Sequence, residues 1–144
     1  DTWRDIHKPL MAQLGAFLQQ RGIDFWMHSC GNTAAVFSDL IDCGLQVINP
    51  LEAKVGLDVC ELKQQFGEQL TFFGNIDVRE IASNDPARIS AELERKISPV
   101  LSQGGGYLLH SDHSIPPDVD HDSYSYFVEH GRALGRLSWD TAKS

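Results

Sequence analysis

The sequence has little positive charge, no long apolar run and few cysteines. Twelve Lys and Arg stand against 20 Asp and Glu, giving a net charge of −8. That sign repels polyanions, and no basic patch is interleaved with aromatics, which argues against binding to nucleic acid or anionic membranes. No apolar run approaches the roughly 18 residues of a membrane span, and no signal-peptide pattern is present. Cys30, Cys43 and Cys60 are too few and too unevenly placed for a disulfide scaffold, so a reducing, cytoplasmic compartment is expected. A phosphate cradle is missing too. Gly104, Gly105 and Gly106 precede a strand pattern rather than a helix, with neither GxGxxG spacing nor a Walker lysine.

What is there is ordinary globular composition, 42% apolar and 22% charged over 144 residues. It suits one domain over residues 1–144. The chain opens DTWRDIHKPLM, without an initiator Met and almost directly in helical pattern. That opening suits a piece of a longer protein, and equally processing or trimming.

Helical and strand patterns then alternate. Pro9 to Gln20 sets Leu10, Leu14, Phe17 and Leu18 on one face at helical spacing. IDFWM reads as a short buried strand, and TAAVFSDLIDCG as a helix stopped by Gly44. Gln46 to Ile48 is the next strand. Asp58 is placed to cap a helix that Gly67 ends. LTFFG is the third strand, opening into NID. Asp85 and Pro86 begin a long helix, which Pro99 is expected to bend or end. GGGYLLH is the fourth strand, SDHSIPPDVDHD a polar loop, and a last helix runs from about Ser123 to Leu137.

A helix followed by four strand–loop–helix units predicts an α/β fold with a parallel sheet. Every polar cluster falls just after a strand, and in such sheets those ends share one face, where sites form. Four strands cannot close an eight-stranded (β/α)8 barrel. Either another half precedes Asp1, a second copy supplies it as a homodimer, or the sheet is open.

His28 and Cys30, two apart at a strand end, put an imidazole and a thiol on one side, a borderline-soft pair suited to Zn²⁺. Glu52 and His113, after the second and fourth strands, are candidate third and fourth ligands. The alternative is packing: a histidine bonded to a backbone carbonyl, a small buried cysteine and a solvated loop carboxylate. Asn75 and Asp77 follow Gly74, which permits close approach of a ligand; they either line a site or cap the loop. Asp112 either orients His113 and touches substrate, or caps. Asp118, Asp120 and Asp122 read as a solvated loop and helix cap, and Cys43 and Cys60 as packing residues.

HSCGNTAAVFSDLIDCG, FFGNID and SDHSIPPDVDHDSYSYFVE, in that order over nearly the whole chain, resemble the uroporphyrinogen decarboxylase family. The resemblance implies the C-terminal half of a (β/α)8 TIM barrel with its site at the C-terminal ends of the strands. Two branches of the family compete. In its methyltransferases a His-x-Cys pair and a later cysteine hold zinc, which activates a thiol that receives a methyl group from a corrinoid. His28 and Cys30 resemble the pair; His113 stands where the later cysteine would. Glu52 resembles in placement a glutamate ligand of the more distant cobalamin-independent methionine synthases. In the decarboxylases no metal is needed, and a histidine in a Gly-His-Gly loop contacts a tetrapyrrole substrate; His113 resembles it, with Asp77 as a second catalytic candidate. GNID matches the decarboxylases' GNLD stretch and occurs in both branches. The decarboxylases' arginine-rich segment and key aspartate have no counterpart here. The His-x-Cys pair favours the methyltransferase branch, with zinc as cofactor and a corrinoid, free or carried by a protein, as partner. A non-catalytic binding protein built on the same barrel surface is the third reading.

Overall fold

Each strand of the computed structural model, which describes residues 2–141 with side chains through residue 136, hydrogen-bonds to the next strand in sequence. Strands β1 (Trp26–Ser29), β2 (Val47–Pro50), β3 (Thr71–Phe73) and β4 (Tyr107–Leu108) form one parallel sheet in the order β1-β2-β3-β4. The crossovers carry α2 (Phe37–Asp42), α3 (Val59–Phe66), and α4 (Val78–Ile81) with α5 (Pro86–Leu101). Helix α1 (Lys8–Gln19) precedes the sheet and α6 (His121–Thr141) follows it. One-step parallel crossovers of constant hand place their helices on a single side. A doubly wound sheet would reverse its order, and this one does not. The architecture is that of half a barrel, four strand–helix units wound one way.

Strand register shows how the two faces differ. Met27, Ile48, Phe72 and Tyr107 align across the four strands. All four belong to or pack on the main core cluster, with Phe25, Phe37, Leu40 and Leu62. The opposite row contains Trp26, His28, Asn49, Phe73 and Leu108, on the face away from that cluster. A second core, of Ile76, Ile81, Ile89, Leu93, Ile97 and Phe127, joins α4, α5 and α6.

Helix ends follow local chemistry. Asp58, Asp77 and Asp85 accept the backbone N–H two residues on, at 2.8 to 2.9 Å, and cap α3, α4 and α5. Asp120 caps α6 by accepting the N–H three residues on, from Ser123, at 2.6 Å. Helix α4 lies in a stretch between NID and Asp85 to which the sequence assigns no element; four residues are too few to show a periodic stripe.

Two expectations are corrected. Pro99 does not end its helix, since α5 continues to Leu101. Proline at 99 leaves the Arg95 carbonyl without its i+4 donor. The Cys60 thiol occupies that place, with Sγ 3.6 Å from Arg95 O. The face of α1 is also shifted. Leu10, Leu14 and Phe17 are 54%, 42% and 50% exposed, whereas Met11 and Leu18 pack on the core and Gly15 is buried. A Cβ at Gly15 would lie 1.7 Å from Cys43 O, so glycine lets α1 roll this side down against the end of α2. No helix among the described residues is long and apolar enough to cross a membrane.

Candidate functional site

At the C-terminal end of β1 the chain turns from sheet to loop, and three polar side chains meet. His28 lies on the open row, with Nε2 3.4 Å from Cys30 Sγ. Its Nδ1 is 2.6 Å from Oδ1 of Asn49, its register partner on β2. Glu52, only 5% exposed, accepts Gly31 N–H at 3.0 Å through Oε1 and pairs with Lys54 Nζ at 3.1 Å through Oε2. Those two partners, the Gly31 amide first, hold its carboxyl below the ordinary value. Desolvation, followed by a hydrogen bond to Glu52, pushes the Cys30 thiol up. His28, Cys30 and Glu52 are thus neighbours.

The residues expected to bind substrate are committed to backbone. Asn75, wholly buried, donates to Leu51 O and Leu57 O at 2.6 and 2.8 Å and accepts Val59 N–H at 2.9 Å. Asp112, 2% exposed, accepts Ala53 N–H at 2.8 Å and Val78 N–H at 2.9 Å. Asp77 caps α4 and forks onto the Arg79 guanidinium, which holds its carboxyl below the usual range. Gly74, at φ 118°, lets the loop after β3 pass between its neighbours; a Cβ there would meet Pro50 O at 2.3 Å. Loops from three strands are tied into one rim by side chains that have few acceptors left for a ligand.

His113 stands apart. It is exposed, its carbonyl accepts from Ser111 Oγ, and its ring makes no hydrogen bond among the described residues. Among the described residues it forms no metal-holding group with His28 and Cys30.

Sequence reading missed the row beside His28. Phe73 makes edge contacts with Trp26, at 6.1 Å between centroids, and with His110 at 5.0 Å. Asn49 donates to Phe73 O at 3.1 Å. The available signal was that WMHS and VINP each place a polar residue third in a strand; in parallel register those residues become neighbours.

Half a barrel with its polar groups gathered after the strands narrows the choice of family, and the sequence profile described as "Uroporphyrinogen decarboxylase (URO-D)" matches residues 1–134. The chain belongs to the uroporphyrinogen decarboxylase family. No curated protein matches it. Membership of the uroporphyrinogen decarboxylase family fits an enzyme-related fold and admits both decarboxylases and methyltransferase-like members.

Whether zinc fits can be judged from the donors. Tetrahedral zinc with Zn–N of about 2.0 Å and Zn–S of about 2.3 Å holds the two donor atoms about 3.5 Å apart. The Nε2–Sγ separation of 3.4 Å matches two such vertices. Beyond the pair the match stops. Among the described residues no three His, Cys, Asp or Glu side chains are grouped to hold an ion. Glu52 is a further carboxylate beside Cys30, and it would have to exchange its present partners to serve.

Proposed function

We propose that this chain carries the metal-binding half of a zinc-dependent methyltransferase of the uroporphyrinogen decarboxylase family, acting between a corrinoid and a thiol. The observation that carries the reading is the His28 Nε2–Cys30 Sγ separation of 3.4 Å, with the other ring nitrogen already engaged by Asn49. Zinc, when bound, would supply the Lewis acidity that makes a substrate thiol a thiolate near neutral pH. His28 and Cys30 would hold it, and Glu52 would complete or balance the donor set. The chain's own part is positional. The rim tied by Asn75 and Asp112 keeps the β2 and β3 loops fixed around the pair, and the Trp26–Phe73–His110 row offers an apolar face beside it.

Metal analysis of protein prepared without chelator tests this. About one zinc per chain is expected, lost in His28→Ala and Cys30→Ser, with a corrinoid absorbance change on adding methylcobalamin and a thiol that depends on Cys30. Less than about a tenth of an equivalent, unrestored by added zinc, would remove this reading. Zinc-independent release of CO₂ from a tetrapyrrole carrying acetate side chains would establish the decarboxylase instead.

A further inference from the structure

Asn49 sits between two groups whose chemistry leaves it one orientation. Phe73 O, 3.1 Å away, is a backbone carbonyl and can only accept, so the Asn49 NH₂ must face it. The amide oxygen is thereby turned to His28 Nδ1, at 2.6 Å. An amide oxygen can only accept, so Nδ1 must carry the proton. In a neutral imidazole the lone pair then belongs to Nε2. That nitrogen is the one 3.4 Å from Cys30 Sγ. The order runs from a β3 carbonyl through a β2 amide to a β1 imidazole, and each link depends on the strand register that pairs His28 with Asn49.

We infer that Asn49 is a positioning residue that holds His28 with its proton on Nδ1 and its Nε2 lone pair toward Cys30. Its purpose rests on the zinc reading above, whereas its geometry does not. The physical effect is pre-organisation. A histidine unrestrained in water favours the opposite tautomer, with the proton on Nε2, which cannot accept from a thiol or ligate a metal without a proton shift. A partner on the far nitrogen also fixes the ring plane, and loss of such a partner from a metal-bound histidine typically lowers affinity about 10–100-fold.

The test uses metal-free full chain labelled with ¹⁵N at histidine, at a pH where His28 is neutral, with ring-nitrogen shifts assigned by comparison with His28→Ala. Wild type is expected to show His28 protonated on Nδ1. Asn49→Ala should move it toward the Nε2-protonated form. Asn49→Asp keeps an acceptor opposite Nδ1 and should restore the wild-type tautomer. Zinc affinity, read by competition with a chromophoric chelator, should fall about 10–100-fold in Asn49→Ala and recover in Asn49→Asp. An Nε2-protonated His28 in wild type, or a tautomer indifferent to Asn49→Ala, overturns the inference. If Asn49→Ala fails to fold, the wild-type tautomer and Asn49→Asp still decide it. Tautomers that behave as expected in a chain that binds no zinc would leave the positioning intact and remove the zinc reading alone.

Discussion

Lys96 and Glu92, one turn apart on α5, form an ion pair beneath the loop that follows β3, with Lys96 wholly buried. The ammonium also donates to Asn75 O, and Glu92 accepts Asp77 N–H at 3.0 Å. Two charges withdrawn from water thus hold the backbone of GNID from below. Removing one partner of such a pair costs about 3–5 kcal/mol when the other is left unmatched. Glu92 would keep Arg95, whose Nη2 lies 3.0 Å from its Oε2, so the low end, about 3 kcal/mol, applies here. Lys96→Met is therefore expected to lower unfolding free energy by that amount in urea titrations. Lys96→Met with Glu92→Gln should recover part of it, because no uncompensated charge remains. A loss below about 1 kcal/mol would mean the pair is solvated in solution.

Asn75 holds the same loop from above and does so at φ 69°. Asn75→Ala removes three buried hydrogen bonds and places a Cβ-bearing residue without Asn's tolerance in left-handed backbone. Asn75→Gly removes the same bonds without the backbone penalty. Both should destabilise by roughly 3 kcal/mol or more, with Gly less harmful than Ala by about 1 kcal/mol. Equal losses would show that the loop relaxes out of this conformation.

The contrast between these clamps and the helix caps shows what could be read in advance. Asp58, Asp85 and Pro86 act within a few residues of themselves, so spacing alone reveals them. The four strand–helix units were legible for the same reason, as short apolar runs between periodic segments. Asn75 reaches Leu51 and Asp112 reaches Ala53, contacts 24 and 59 residues away that depend on where the loops are brought together. Their polarity was visible in the sequence, while the partners that turn it toward backbone were not. Asn49 is a similar case, because its relation to His28 exists only through β-sheet register. The gathering of His28, Cys30 and Glu52 follows from the parallel topology, whereas the position of His113 depends on the path of a long polar loop.

Cys60 and Pro99 offer a coupled test. The thiol supplies the donor that proline withholds from Arg95 O, at a sulfur distance of 3.6 Å. Pro99→Ala restores a backbone N–H and should stabilise the chain by about 1 kcal/mol or more. Cys60→Ala should then cost less in the Pro99→Ala background than in wild type. A double-mutant cycle by chemical denaturation measures that coupling; strict additivity would mean the thiol does not serve the freed carbonyl.

Acid stability should depend on the clamp that fastens α1 to α2. Asp39 accepts from Lys8 Nζ at 2.7 Å and Arg4 Nε at 2.9 Å. Lys8 first, then Arg4, holds its carboxyl below the ordinary aspartate value. A depressed carboxylate contributes stability that is fully present above the unfolded value, about 3.9, and lost as pH falls through the lower folded one. Thermal unfolding of wild type and Asp39→Asn should differ by a constant amount from about pH 5 to 8 and converge in acid below the unfolded value. Added salt should narrow the difference, since these charges lie near solvent. A gap that persists unchanged at low pH would show that Asp39 acts through packing rather than charge.

The exposed side of α1 gives the sharpest contrast between pattern and structure. Leu10 and Leu14 have the spacing of core residues, yet they are 54% and 42% exposed, while the neighbouring Gly15 is buried against Cys43 O. Leu10→Lys and Leu14→Gln should accordingly change the stability of the chain by no more than about 0.5 kcal/mol. Gly15→Ala, a smaller change, should cost about 2 kcal/mol or more, because its Cβ meets backbone that cannot yield without moving the helix. Urea denaturation at two protein concentrations distinguishes the outcomes. Were the leucine variants the damaging ones, with a loss that grows with protein concentration, the stripe would be covered by a second copy in solution. Were Gly15→Ala harmless, α1 would not dock on α2 as closely as 1.7 Å between that Cβ and the Cys43 carbonyl requires.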